Sequence, residues 1–301
     1  MAHYVRVAVP VANLRKRPIE ASPLNIHDEM QESQVLFHEA LLVTQETPDW
    51  LQVEALEQRK SIARGWQGYP GWVRRKDITD TEGPGEHDGV VKRPFTMLRS
   101  VPSPTGRPIF PLSLGTRLSL AGEAKGFFEV VMDGRHIGWA AMRDISRTAD
   151  GPPARERARD LVKTARLFLG AAYLWGGRSM PMPWSRGPVM GVDCSGLTCL
   201  VSRALHLELP RDAHDQWITA TAVAPQTLRP GDLIFLSRQG EEGSVNHVML
   251  SLGGEQFIEA AETGDIVRIG TFSRKFGLGL RALEESNFAV RDTRIYFGRI
   301  E

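Results

Sequence analysis

Cysteine is nearly missing from this chain, which holds two in 301 residues, Cys194 and Cys199. They fall five apart on what reads as one helix, where neighbours are three or four apart, so they point in different directions and make a poor disulfide. A framework of bridges is excluded, and reduced thiols fit the cytoplasm. The first residues, Met1-Ala2-His3-Tyr4-Val5-Arg6-Val7, lack the charged and apolar regions of a signal peptide, and a cytoplasmic location is the expectation. Long apolar runs are missing too. The longest, Leu167 to Trp175, is short and glycine-interrupted, so no membrane span is expected. Charge of one sign is absent, with 37 basic against 36 acidic residues and a net +1. That balance gives no electrostatic reason for nucleic acid or an anionic membrane as partner. Arg15-Lys16-Arg17 and Arg74-Arg75-Lys76 read as solvated turns. A His-Glu-x-x-His signature, clustered His and Cys ligands, a Gly-x-Ser-x-Gly elbow and a phosphate-binding glycine loop are all lacking, so neither metal nor cofactor is expected.

What is present begins with Asp193-Cys194-Ser195-Gly196-Leu197. Leu197, Leu200, Val201, Ala204 and Leu205 recur at helical spacing, which predicts an amphipathic helix from Ser195 to about Leu207. Asp193 is a good N-cap after a loop, Ser179 to Val192, rich in Pro and Gly. A thiol in the first turn faces unsatisfied backbone N–H groups and the positive end of the helix dipole, and both favour the thiolate nucleophile. Taken alone, Cys194 fits a nucleophile or a buried core cysteine equally well.

A cysteine nucleophile needs a base, usually His, and a group that orients the base. Of the eight histidines, His247 stands out. It opens an apolar segment, Val248-Met249-Leu250-Ser251-Leu252, that stops at Gly253-Gly254, and Gln256-Phe257-Ile258-Glu259-Ala260 reads as the return strand. A short hairpin returns Glu259 toward His247. Singly, each fits a satisfied strand histidine and a solvated charge. The ordered set of helix-start Cys, strand-start His and a polar residue one hairpin later is much rarer by accident.

These segments resemble the NlpC/p60 cysteine peptidases. The resemblance runs through Tyr173-Leu174-Trp175-Gly176-Gly177, Asp193-Cys194-Ser195-Gly196-Leu197, Leu209-Pro210-Arg211-Asp212, Arg229-Pro230-Gly231-Asp232-Leu233-Ile234-Phe235 and Asn246-His247-Val248, in family order. It implies a papain-like α+β fold and cleavage of peptide bonds in murein stem peptides. It makes Cys194 the nucleophile, His247 the general base, and Tyr173 with the backbone around Cys194 the oxyanion support. The family's third triad member is commonly His, sometimes Asn or Gln, twelve residues after the base. Here that position holds Glu259. A carboxylate orients an imidazole well, and as an anion it raises the imidazole pKa.

The N-terminal half carries a repeat. Gly71-Trp72-Val73-Arg74-Arg75-Lys76-Asp77-Ile78 aligns without gaps to Gly138-Trp139-Ala140-Ala141-Met142-Arg143-Asp144-Ile145. Leu14-Arg15-Lys16-Arg17-Pro18 echoes Leu98-Arg99-Ser100-Val101-Pro102, and Asp49-Trp50-Leu51-Gln52-Val53 echoes Gly126-Phe127-Phe128-Glu129-Val130. Three ordered echoes argue for two related small domains, and short alternating strands with Gly and Pro turns predict small β-barrels. The spacing resembles bacterial SH3-like domains. The expected organisation is multidomain: an SH3-like barrel with insertions over 1–82, a second over 86–149, and the α+β papain-like peptidase domain over 154–301, opening with a helix near Arg155. The first copy carries two extra stretches, Ile19 to Ser33 and Glu57 to Gln67.

Closely similar cytoplasmic members of the family admit only small peptides with a free N-terminal L-Ala. By that resemblance Gly68-Tyr69-Pro70-Gly71-Trp72 supplies Tyr69 to the pocket, although Tyr69 also fits simple packing at a barrel rim. A free α-ammonium requires acceptors. Asp212 matches an acidic position in those relatives, Asp193 and Ser195 flank the nucleophile, and a first-barrel carboxylate is expected, with Glu29 and Glu32 both near the right place. Ala213 stands where relatives often have Ser. Arg211 reads either as a partner for a substrate carboxylate or as half of an ion pair with Asp212 or Asp215. The partner implied is a murein peptide such as L-Ala-γ-D-Glu-diaminopimelate, cleaved after D-Glu. The alternatives are an exported hydrolase of intact peptidoglycan and an inactive peptide-binding protein disabled by Glu259.

Overall fold

The computed structural model describes residues 2–20, 27–182, 189–238, 240–285, 287–290 and 292–300. Parts of two stretches singled out above, 21–26 and 183–188, lie outside the described residues. The chain divides into two compact units, residues 1–151 with 174–191 and residues 152–173 with 192–301.

The first unit holds two sheets of seven strands. The first sheet comprises β1 (His3–Val7), β2 (Val11–Arg15), β3 (Gln31–Leu36), β4 (Ala40–Glu46), β5 (Trp50–Ile62), β6 (Gly65–Arg74) and β7 (Ile78–Thr81). The second comprises β8 (Gly89–Val91), β9 (Phe95–Arg99), β10 (Pro108–Ser113), β11 (Arg117–Ala124), β12 (Phe127–Met132), β13 (Arg135–Ala141) and β14 (Ile145–Arg147). Their strand orders, β3-β2-β6-β5-β4-β1-β7 and β10-β9-β13-β12-β11-β8-β14, are the same path displaced by one repeat. Alternation fills each core. Leu51, Val53 and Ala55 of β5 point inward with Val5, Leu14, Val35 and Val73, while Phe128 and Val130 of β12 point inward with Leu98, Leu112 and Ala140. The repeated Gly-Trp has a packing cause. A Cβ on Gly71 would stand 2.5 Å from Leu14 Cγ, and one on Gly138 would stand 2.8 Å from Leu98 Cγ.

Both strand paths are open, and among the described residues no sheet closes into a barrel. This corrects the expectation of closed barrels. Alternation and turn residues specify strands and a buried face, and those are the same for an open curled sheet and a closed one. The extra stretch Glu57 to Gln67 extends the β5–β6 hairpin, with a register shift between Ala55 and Arg59 and a turn into Gly65.

The second unit opens with helix α1 (Ala154–Ala165) and continues with α2 (Cys194–Arg203) and α3 (Ala213–Thr219). Its sheet uses β15 (Thr221–Ala222), β16 (Leu233–Arg238), β17 (Glu241–Gly253), β18 (Gln256–Glu259) and β19 (Arg268–Thr271). Helices α4 (Phe272–Phe276) and α5 (Leu280–Glu285) lead to β20 (Ala289–Val290) and β21 (Thr293–Arg299). The strand order is β15-β21-β16-β17-β18-β19, with β20 beside β21. Strand β16 is buried along Leu233, Ile234 and Phe235, as a central strand covered on both faces must be. Ile234, Met249, Phe257, Phe272, Ile295 and Phe297 form a core on one face. The other meets α2, whose buried side includes Leu197, Leu200 and Val201. Among the described residues no helix is long and apolar enough to cross a membrane.

Candidate active site

Helix α2 starts at Cys194 because Asp193 stops the chain there in an extended conformation and caps it. Asp193 Oδ1 accepts from the Gly196 N–H at 2.7 Å, satisfying one of the free first-turn donors. The same carboxylate is clamped from behind. Arg211 Nη2 donates to Asp193 Oδ2 at 2.6 Å, and Arg211 Nη1 donates to Asp193 Oδ1 at 3.0 Å and to Ser195 Oγ at 2.9 Å. Of the readings open for Arg211, the structure shows an ion pair, and with Asp193. Gln216, fully buried on α3, ties the helices together: its amide donates to the Ser195 and Pro210 carbonyls at 3.1 and 3.0 Å, and its oxygen accepts from Thr198 Oγ1 at 2.7 Å. Sequence reading missed Gln216, since a glutamine inside a short polar helix carries no signal of burial.

His247 lies on β17 and Glu259 ends β18. Leu250 pairs with Ile258, so Met249 stands opposite Glu259 and His247 lies two residues along the same face, the diagonal reach of a long side chain. His247 Nε2 meets Glu259 Oε2 at 3.1 Å, and the Cys194 side chain is near enough to the ring to act on its charge. With Nε2 given to Glu259, Nδ1 is the nitrogen left for the thiol. Burial alone would lower the imidazole pKa; the pull of Cys194 and the bond with Glu259 outweigh it and raise it to about 9.

Glu259 is 2% exposed, yet its pKa is lowered to about 2. Burial pushes the other way and is overcome by the bond to His247 and by the positive charge of Lys275. Lys275 Nζ donates to Glu259 Oε2 at 2.6 Å, and Arg268 Nη2 faces Oε1 at 3.5 Å. Neither cation was found from sequence. Both sit in a segment whose scattered basic residues look like ordinary surface charge.

Tyr173 reaches the site through its backbone. It forms a bridge with Val192, one residue before Asp193, and its N–H donates to the Asp265 carbonyl at 2.9 Å. Burial first, then the negative charges of Asp193 and Cys194, push the phenol pKa up, so the hydroxyl stays protonated and available as a donor. The second unit thus brings together Cys194, His247, Glu259, Tyr173, Asp193, Ser195 and Arg211. Asp212, half-buried, is the N-cap residue of α3. Tyr69 and Glu29 belong to the first unit. Tyr69 is 4% exposed within the first sheet's core, with Lys60 Nζ 4.5 Å from its ring centre, and Glu29 is exposed in the turn before β3. Among the described residues no group of three or more His, Cys, Asp or Glu side chains is arranged to hold a metal ion.

A helix-start cysteine near an imidazole that is bonded to a buried carboxylate is an arrangement for nucleophilic acyl transfer. Residues 170–277 match the NlpC/P60 family model. The chain is 31% identical over 253 residues to the gamma-D-glutamyl-L-lysine dipeptidyl-peptidase of Bacillus subtilis (strain 168), covering 82% of this chain and 77% of that protein. It is 29% identical over 244 residues to the protein of that name from Bacillus cereus (strain ATCC 10987 / NRS 248), covering 79% and 69%. The crystal structure of an NlpC/P60 family protein from Bacillus cereus ATCC 10987 superposes with a TM-score of 0.74 at 26% identity, over 89% of this chain and 94% of that one. The protein belongs to the NlpC/P60 family of cysteine peptidases.

Proposed function

We propose that this peptidase cleaves the γ-D-Glu–L-diamino acid bond of murein stem peptides that carry a free N-terminal L-Ala, in the recycling of released wall peptides. The observation that carries this is His247, held by Glu259 at 3.1 Å and acted on by Cys194, in a chain similar over most of its length to two gamma-D-glutamyl-L-lysine dipeptidyl-peptidases.

The Cys194 thiolate attacks the γ-carbonyl carbon of D-Glu, forming the C–S bond while the carbonyl electrons move to oxygen. The Cys194 N–H, with the Tyr173 hydroxyl in support, donates a hydrogen bond to that oxyanion. The His247 imidazolium gives its Nδ1 proton to the leaving amine as the C–N bond breaks, and the neutral ring then takes a proton from the water that hydrolyses the thioester. Glu259 holds Nε2 throughout. Recognition of the substrate's free α-ammonium falls to Asp212, and the two seven-stranded sheets are read as SH3-like modules. Asp193, Ser195 and Arg211 are bonded to one another, so in this reading they hold the floor of the site beside Cys194.

Mass spectrometry of L-Ala-γ-D-Glu-meso-diaminopimelate, its N-acetylated form and intact sacculi, each incubated with the protein, tests this. Cleavage of the free peptide alone, after D-Glu, is the expected result. Release of fragments from sacculi would replace it with a wall hydrolase. Binding of the peptide without cleavage would replace it with the inactive binding protein. Fractionation of cells tests the cytoplasmic location that goes with recycling.

A further inference from the structure

Lys275 lies outside every motif that carries the family resemblance. It sits sixteen residues beyond Glu259 on α4, whose placement the chain fixes firmly: Thr271 caps the helix, Gly277 ends it in the left-handed conformation, and Phe272 packs edge-on against Phe257 of β18. The result is that Nζ stands 2.6 Å from the same Glu259 oxygen that meets His247 Nε2 at 3.1 Å. Arg268 faces the other oxygen from 3.5 Å, but its side chain is 45% exposed and it already holds Asp265 at 2.6 Å. Lys275 is the close, more sheltered partner, with a side chain 24% exposed.

A neutral third residue orients the catalytic imidazole without adding charge. Glu259 adds a full negative charge to a buried ring, and Lys275 adds a positive one to the same oxygen. We propose that Glu259 and Lys275 act together as a net-neutral replacement for the neutral third member of the triad, with Lys275 the positioning residue that aims the carboxylate at His247 and offsets its charge. This rests on the reading of Cys194 and His247 as nucleophile and base. The groups facing the pair are Cys194 from α2, His247 from β17, Arg268 from β19 with Asp265 behind it, and Lys275 from α4. Beyond Cys194, Asp193 is ion-paired with Arg211.

The inference fixes the sign of three effects. Removing Lys275 leaves the carboxylate facing only the exposed, Asp265-paired Arg268, so the imidazolium is held more strongly. Removing Glu259 leaves an ammonium facing the imidazolium, so the ring loses its proton more readily. Removing both returns a site without added charge. Neighbouring charges at this range move a pKa by about one unit or more.

The test is ¹⁵N NMR titration of histidine-labelled protein, with His247 assigned by its loss in His247→Ala, alongside kcat/KM against pH on the murein tripeptide. In Lys275→Met the His247 midpoint and the alkaline limb of activity should rise by about one pH unit, and in Glu259→Gln both should fall by about one. In the double variant both should return close to the wild-type position, with activity roughly tenfold above Glu259→Gln alone. Lys275→Arg should preserve the wild-type midpoint. An unmoved His247 midpoint in Lys275→Met, or a double variant whose midpoint stays as low as that of Glu259→Gln, would overturn the proposal. Lys275→Gln, which keeps a donor to Glu259, stands in if Lys275→Met unfolds, and should move the midpoint upward in the same way. The NMR readout does not depend on the substrate: a Cys194→Ala protein that still hydrolysed the peptide would remove the catalytic reading instead, whatever the titrations gave.

Discussion

Arg211 and Asp193 form a bidentate ion pair, 2.6 and 3.0 Å long, with the arginine 2% exposed, at the start of the helix that opens at Cys194. Asp193 simultaneously caps that helix, so one guanidinium fixes both the carboxylate and the first turn. Arg211→Met leaves a buried carboxylate without its clamp. Such a loss costs about 3–5 kcal/mol, which urea unfolding would read directly. Arg211→Lys keeps the charge but not the planar fork, and should fall between the two in stability while losing activity through a displaced Cys194.

Cys194→Ala removes the proposed attacking atom and little else. The residue opens α2 while Asp193 supplies the cap, so the far-ultraviolet circular dichroism and melting temperature should stay near wild type. Turnover should drop by roughly 10⁴-fold or more. Retained hydrolysis would show that another residue attacks.

Much of this site is legible in the sequence because its physics is local. An N-cap Asp followed by helical periodicity reveals where the cysteine sits, and the glycine pair at Gly253-Gly254 reveals the hairpin that returns Glu259 to His247. The repeat is legible for a similar reason: Gly71 and Gly138 each make room for a leucine of the preceding echo, Leu14 or Leu98. What escapes is long-range pairing of charges. Nothing in the spacing of Arg211 points to Asp193, eighteen residues away. Lys275 looks like any exposed lysine until the fold sets α4 beside β18. The closure of a sheet is equally invisible, since both outcomes share one alternating pattern.

The two glycine contacts make the repeat testable. Gly71→Ala forces a Cβ to 2.5 Å from Leu14 Cγ, and Gly138→Ala forces one to 2.8 Å from Leu98 Cγ. Each should destabilise the protein by about 1–3 kcal/mol, measured by chemical denaturation, with the tighter Gly71 site losing more. Leu14→Ala removes the clashing atom. The double variant Gly71→Ala/Leu14→Ala should therefore be less destabilised than the sum of its parts. Additive losses would mean that the backbone shifts and the glycine does not serve the leucine.

Stability itself should depend on pH through the same residues proposed to act in catalysis. The folded-state pKa of His247 is raised from 6.5 to about 9, so the folded protein binds its proton more tightly than the unfolded chain. That contribution is fully present below about 6.5 and is lost as pH rises through about 9. Glu259 works in the opposite sense. Its folded-state pKa is lowered from 4.5 to about 2, so its contribution is present above about 4.5 and is lost as pH falls toward 2. Urea unfolding across pH 5 to 10 should show stability declining between roughly 6.5 and 9, with the decline flattened in His247→Ala. Glu259→Gln should reduce the slope by a smaller amount, because Cys194 still acts on the ring. An unchanged slope in His247→Ala would mean that the imidazolium is no better held in the folded site than in water.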